Sequence, residues 1–271
     1  EASNLAWQTG KGEFLARMDA DDEALPDRLH LQVSFLDENP DLAACATQVR
    51  IRKRLENGRV VAPDGGYARY EDWINSVISP EHISRERFVD SPFPNPTAMI
   101  RRSVMEQVGG YADPSWAEDY DLWLRVLEKG HRLGKVERPL LDWIDAPMRS
   151  TRTVERYQLS RFQEAKAHYL SHFESVKEKG VVIAGAGPIG KEMNRLLEAE
   201  EITRHAFLEV NARQVGNKAG GIPILGSEEI AGFQSEAILI GALGQPGARA
   251  RLQKLACETG FTEGVDFFCV A

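Results

Sequence analysis

Phe14-Leu15-Ala16-Arg17-Met18-Asp19-Ala20-Asp21-Asp22 is the stretch on which the fold of the first half turns. Its apolar start has the character of a short strand, and the three aspartates stand at that strand's carboxyl end. Pro26 then suits the first turn of a helix carrying Leu29, Val33 and Leu36. In open α/β sheets, binding sites lie outside the carboxyl ends of strands. Three carboxylates gathered there repel one another unless a cation sits among them. A hard divalent ion with oxygen ligands, Mg²⁺ or Mn²⁺, is the natural filler, and such ions usually arrive with a diphosphate. An EF-hand is excluded by spacing: counting from Asp19, the sixth loop position is Ala24 instead of glycine and the twelfth is His30 instead of glutamate. A solvated acidic turn that caps the following helix is the plain alternative.

A second acidic group, Trp116-Ala117-Glu118-Asp119-Tyr120-Asp121, precedes a helix with Leu122, Trp123, Val126 and Leu127 on one face. Acidic residues in a first helical turn are favoured by the macrodipole, so capping alone accounts for them. The functional alternative is a general base, an ionised Asp held close to a cation and a sugar hydroxyl.

Together these segments resemble the family 2 glycosyltransferases of the GT-A fold. Gly12 to Asp22 with Leu25-Pro26-Asp27-Arg28-Leu29 is similar to that family's DxD strand and helix. Pro94-Asn95-Pro96-Thr97-Ala98-Met99-Ile100-Arg101-Arg102 with Gly109-Gly110-Tyr111 resembles its acceptor-side strand and turn. Glu118-Asp119-Tyr120-Asp121-Leu122-Trp123-Leu124-Arg125 resembles its ED helix. The resemblance covers residues 1–150. It implies a hexosyltransferase-like enzyme of polysaccharide synthesis that moves a sugar from a nucleotide-sugar to a glycan or lipid-linked hydroxyl acceptor. Asp19, Asp21 and Asp22 would hold Mg²⁺ or Mn²⁺ against the donor diphosphate, with Asp21 and Asp22 nearest the metal. Asp119 would deprotonate the acceptor in an inverting displacement, and Glu118 would bind or orient it. Asn95 stands where many relatives carry histidine, and the QxxRW signature of processive members is absent, which implies one sugar per encounter. Asn4-Leu5-Ala6 resembles the helix just before the DxD strand. The family's first βαβ elements, which hold base and ribose, are therefore expected to be missing, leaving this chain weak or inactive toward donor.

After residue 150 the texture changes. Residues 151–179 contain no Gly or Pro and read as one linker helix, with Val154, Tyr157, Phe162, Ala165, Tyr169, Phe173 and Val176 as its apolar stripe. Residues 180–271 then alternate strands and helices, with strands at Val181–Ala184, 205–210, 222–225, 237–241 and 267–270, of which 237–241 is a continuous apolar run. Such strands imply a parallel sheet covered on both faces. The expected fold is therefore α/β: a partial GT-A domain, a linker and a small Rossmann-like domain.

Val181 to Gly190 reads as strand, GxGxxG turn and helix start, the arrangement in which a backbone approaches a phosphate. Glu209 lies about 20 residues beyond Gly190, where an acid that binds a ribose belongs. Gly185, Gly187, Gly190 and Glu209 thus form a candidate site for NAD or another nucleotide, and the second functional class considered is an oxidoreductase or sensor module centred there. Tight strand–helix packing explains the same glycines without a ligand. A P-loop is excluded because Glu192 follows Lys191 where a hydroxyl is needed. Val215 to Ile224 also resembles small domains of sugar-modifying proteins.

Lys and Arg number 33 against 41 Asp and Glu, a net charge of −8, which disfavours a nucleic-acid partner. Three scattered cysteines exclude a disulfide framework and a CxxC zinc site and suit the cytoplasm. No apolar run is long enough to span a bilayer. His168 and His172 share a helical face, for which a solvated role is expected. Arg50 to Arg54 suits the exposed strand of a hairpin turning at Asn57-Gly58, and also a contact with anionic lipid at the inner membrane face.

Overall fold

A computed structural model describes residues 2–145, 154–245 and 247–271. The chain divides into two units, one of Glu1–Arg87 and Ser91–Gln158 and one of Phe88–Asp90 and Leu159–Ala271. In the first, helix α1 (Ala2–Thr9) leads to strand β1 (Phe14–Ala16), a short β2 (Glu23–Ala24) and α2 (Arg28–Glu38). Strands β3 (Leu42–Arg54) and β4 (Val60–Val61), helices α3 (Gly65–Ser76) and α4 (Pro80–Glu86), strand β5 (Met99–Arg101), helices α5 (Arg102–Val108) and α6 (Glu118–Glu128) and strand β6 (Arg132–Asp145) follow. The sheet runs β1-β5-β3-β6-β2, with β4 paired to β3 at the expected hairpin. The β3–β6 pair is parallel and the others are antiparallel. The β3–β6 ladder shifts register where Gln48 meets Pro139, a residue with no N–H to give.

The core of this unit is where β3 and β5 meet α5 and α6: Ala44, Ala46, Ile100, Met105, Leu122, Trp123 and Val126 interlock there. Helix α2 departs from the expected stripe. Leu29 is 55% exposed, whereas Arg28, Gln32 and Leu36 face inward. The reason is polar. Arg28 and Gln32 are fully employed beneath the aspartates, as described below.

The second unit begins with α7 (Leu159–Ser171) and α8 (Glu174–Lys179). The single helix expected over 151–179 is not formed. Residues 151–153 lie outside the described residues, Glu155–Tyr157 is a separate 3₁₀ turn in the first unit, and a break separates α7 from α8. The break lets Phe173 turn inward, its ring centroid 5.2 Å from Phe268 and 6.1 Å from Phe88. Then come β7 (Val181–Ala184), α9 (Pro188–Ala199), β8 (Arg204–Glu209), β9 (Lys218–Ala219), β10 (Ile222–Gly226), β11 (Ile238–Gly241), α10 (Ala248–Glu258) and β12 (Phe267–Cys269). The sheet order is β12-β11-β7-β8-β10-β9, parallel throughout except for β9. Strands β7, β11 and β12 are buried along their whole length, as continuous apolar runs require. No described helix is long and apolar enough to cross a membrane.

Candidate active site

Asp19, Asp21 and Asp22 follow directly on β1, an edge strand held by β5 on one side. The Arg17 N–H donates to the Ala98 carbonyl at 2.8 Å, and the Asp22 N–H closes a turn onto the Asp19 carbonyl at 3.3 Å. One carboxylate oxygen of each aspartate lies within 4.8 Å of the others, and among the described residues this is the group of three that could hold a metal ion. Asp21 is exposed and Asp19 half-buried, while Asp22 is buried and accepts a hydrogen bond from the Ile144 N–H at 2.8 Å. Arg17 pairs with Asp19 at 2.7 Å.

Beneath the triad lies a buried guanidinium. Arg28 donates to the Arg17 carbonyl at 2.6 Å, to Gln32 Oε1 at 3.0 Å and to Met18 Sδ at 3.2 Å. Gln32 in turn donates to the Thr97 carbonyl at 2.8 Å, which links the aspartate turn to the Pro94-Asn95-Pro96-Thr97 segment. Burial lowers the Arg28 pKa to about 10, while the negative charge of Asp22 works to keep it protonated. A countercharge placed there lessens the mutual repulsion of the aspartates without neutralising it.

Glu118 and Asp119 open α6. Helix starts leave N–H groups unpaired, and Asp119 Oδ1 accepts from the Tyr120 N–H at 2.8 Å. Even so, Asp119 is pushed up to about 7, first by burial, then by the charge of Glu118, with a smaller contribution from Asp19. The two acidic groups therefore occupy one electrostatic neighbourhood. Tyr111 belongs to it as well: burial pushes its phenol up to about 12, with Arg17, Asp119, Glu118 and Asp19 all acting on it. A cleft of about 380 Å³ lined by Trp7, Leu15, Arg17, Tyr111 and Trp123 opens alongside.

The remaining parts of the motif are architectural. Asp121 is buried and takes Arg125 Nε at 2.7 Å and Trp116 Nε1 at 3.1 Å. Arg125 continues to the carbonyls of Val108 and Gly110 at 2.7 and 2.9 Å. Gly110 has φ of +76°, and a Cβ there would meet Trp7 at 2.7 Å, so its glycine is demanded by packing against α1. Sequence reasoning gave no site role to Arg28 and Gln32 or to Tyr111, which it quoted only inside a turn motif, and placed Tyr157 on an apolar helix stripe, whereas Tyr157 and Arg156 reach Glu118. Polar residues on the inward face of α2 were the one available signal for the first pair.

In the second unit, Gly185 has φ of +107°, and a Cβ on Gly190 would lie 1.9 Å from the Gly185 carbonyl oxygen. Packing accounts for both. Gly187 differs, because a Cβ there would meet nothing within 4 Å. Glu209 is already engaged: it accepts from the N–H groups of Ala186, Val210 and Asn211 at 3.0, 2.9 and 3.1 Å. His168 meets Glu200 at 3.3 Å. In the basic run of the first unit, Arg50 grips Asp142 at 2.6 and 2.8 Å and Lys53 reaches Asp64 at 3.1 Å.

Residues 1–109 match the family model described as Glycosyl transferase family 2. The O-antigen biosynthesis glycosyltransferase WbnJ of Escherichia coli is 33% identical over 132 residues, 47% of this chain and 45% of that protein. The amylovoran biosynthesis glycosyltransferase AmsE of Erwinia amylovora is 25% identical over 141 residues, 52% and 48% of the two chains. The chain thus spans about half the length of the curated relatives it matches. Among solved structures, Staphylococcus aureus TarS aligns with a TM-score of 0.43 at 15% identity over 72% of this chain and 48% of that one. Apart from Phe88–Asp90, the match to glycosyl transferase family 2 lies within the N-terminal unit.

Proposed function

We propose that the N-terminal unit transfers a hexosyl group from a nucleotide-sugar to a hydroxyl of a glycan or lipid-linked acceptor in cell-surface polysaccharide synthesis. The observation that carries this reading is the placement of Asp119: a carboxylate near pKa 7, at a helix start, within reach of the charge on Asp19. A general base works best when its pKa lies close to the working pH. In this role Asp119 takes the proton of the acceptor hydroxyl as that oxygen attacks the sugar from the face opposite the leaving group, which inverts the anomeric centre. Glu118 orients the acceptor beside it. The three clustered carboxylates of Asp19, Asp21 and Asp22 suit a hard divalent ion, Mg²⁺ or Mn²⁺. When bound, such an ion supplies charge stabilisation for a departing diphosphate. Arg28 holds the aspartate turn in place from below.

The test is release of nucleoside diphosphate by the full-length protein from UDP-, GDP- and dTDP-sugars with Mn²⁺ and a glycan acceptor. Release that needs the divalent ion and is lost in Asp119→Asn is the expected result. Unchanged release in that variant would overturn the assignment.

A second reading concerns the C-terminal unit, a Rossmann-like nucleotide-binding module that takes NAD or another dinucleotide at the Gly185 turn. Gly187 favours it, because packing does not require a glycine there while a phosphate approaching the start of α9 would. Calorimetry with NAD, NADH and UDP, on the wild type and Gly187→Asp, tests it. Absence of binding in the wild type would leave the glycines as packing devices.

A further inference from the structure

Among the described strands, β1 has a neighbour on one side only. On that side the Arg17 N–H donates to the Ala98 carbonyl and the Arg102 N–H to the Glu13 carbonyl, both at 2.8 Å, with Leu15 opposite Ile100. Successive residues of an antiparallel strand turn their backbone groups to opposite sides. The N–H and C=O groups of Phe14 and Ala16 therefore face the open edge, and no described residue bonds them. The cleft of about 380 Å³ runs along this edge, from Ala16 and Met18 to Trp7, Tyr111 and Trp123. Leu15 is directed to the same face, where it packs on the core that contains Ile100 and Trp123.

An unpaired edge is a template for a further strand, and its own side chains select which strand fits. Glu13-Phe14-Leu15-Ala16-Arg17 is self-complementary about Leu15 when two copies run antiparallel. Phe14 then stands opposite Ala16 of the second copy, so the outward N–H and C=O groups of both find partners, and a large ring meets a small methyl. Leu15 stands opposite Leu15, and directly opposed side chains share a face, here the face of the cleft. At each end Glu13 stands opposite Arg17, an acid against a base. Both side chains have charge to offer. Glu13 is 78% exposed and meets Arg101 only at 3.9 Å. Arg17 engages Asp19 at 2.7 Å through Nη2, and its Nε has no partner among the described residues.

We propose that the β1 edge is a homodimer interface, in which residues 13–17 pair antiparallel with the same segment of a second copy about a twofold axis at Leu15. The sheet continues from one copy into the other, and Leu15 of each copy enters the cleft of its mate. The assignment goes beyond the transferase reading and owes nothing to it, since it rests on the strand edge and on the order of charges along it.

Sedimentation velocity on the chain itself, over a concentration series reaching the submillimolar range, tests it. The wild type should sediment as a dimer that dissociates on dilution. Ala16→Pro removes an outward N–H and spares every bond to β5, at a position where an edge strand accepts proline. This variant should sediment as a monomer with an unchanged circular dichroism spectrum. Glu13→Lys and Arg17→Glu each set like charges opposite one another, and each should weaken self-association at least about tenfold. Mixed together, the two charge variants should form a heterodimer, because each supplies the charge that the other lacks. That mixture decides the matter should the proline variant fold poorly. A wild type that stays monomeric, a dimer that persists in folded Ala16→Pro, or no heterodimer on mixing would overturn the proposal. Nucleoside diphosphate release, which tests the transferase reading, is measured apart from all of these.

Discussion

The N–H of Ile144 donates to Asp22 Oδ1 at 2.8 Å across 122 positions of the chain. The end of β6 thereby fixes the innermost of the three clustered aspartates, which is only 7% exposed. Asp21, beside it, is exposed. The two positions should therefore separate function from stability. Asp21→Ala is expected to weaken Mn²⁺ binding at least about tenfold with a stability change within about 0.5 kcal/mol. Asp22→Ala should weaken binding too, but also strand a buried N–H at a cost of about 1–3 kcal/mol. Calorimetric Mn²⁺ titration beside urea unfolding decides between them. Equal stability loss in both variants would contradict the division.

Asp119 invites a prediction whose sign runs against habit. Its folded pKa, about 7, stands above the ordinary value of 3.8, so between those pH values the folded chain binds more protons than the unfolded one. Stability from this group is therefore lost as pH rises through the window, and is level above it. Asp119→Asn cannot ionise, and its side-chain oxygen still accepts from the Tyr120 N–H. The variant should be more stable than the wild type at pH 8, by about 1–2 kcal/mol, with the gain vanishing near pH 4. Sugar transfer should fall at least about a hundredfold. Urea unfolding at the two pH values reads the first effect, and a loss of stability at pH 8 would contradict it.

The acidic ends of elements were legible in the sequence, because carboxylates at a strand's carboxyl end and at a helix start break the apolar pattern visibly. Asp19, Asp21, Asp22, Glu118 and Asp119 stand out for that reason, and so does the parallel sheet, whose strands β7, β11 and β12 are unbroken apolar runs. The inward face of α2 was not legible. Leu29 suggested one stripe, yet Arg28 and Gln32 claim the interior because backbone carbonyls of Arg17 and Thr97, remote in sequence, need donors. The break between α7 and α8 carries no Gly or Pro and arises from Phe173 packing on Phe88 and Phe268. Local periodicity holds no record of such partners.

Arg28 itself should be among the least replaceable residues of the N-terminal unit. It is 2% exposed, and its three donors meet a carbonyl, an amide oxygen and a thioether. Arg28→Ala leaves those acceptors unpaired and removes the positive charge next to Asp22, for which a loss of about 3–5 kcal/mol is expected. Arg28→Lys keeps the charge but cannot span the three acceptors, so it should recover only part of the loss. Urea unfolding of the three proteins ranks them. Full recovery by lysine would show that charge, not the geometry of the fork, is what the site requires.

The glycine turn of the C-terminal unit offers the sharpest contrast between two single-methyl changes. At Gly190 a Cβ would lie 1.9 Å from the Gly185 carbonyl oxygen, a backbone atom that cannot swing aside. Gly190→Ala must therefore push α9 off β7, and a loss of about 3 kcal/mol or more is expected. At Gly187, where φ is −78°, the added methyl meets nothing and the backbone is one any residue adopts. Gly187→Ala should leave stability within about 0.5 kcal/mol of the wild type. If the turn receives a phosphate, the same methyl stands in the ligand's path, and dinucleotide affinity should fall at least about tenfold while unfolding is unchanged. Thermal unfolding with and without NAD separates these outcomes: a stable Gly187→Ala whose midpoint no longer rises with ligand supports the nucleotide reading. A midpoint that rises as in the wild type removes the open space at Gly187 as an argument for it.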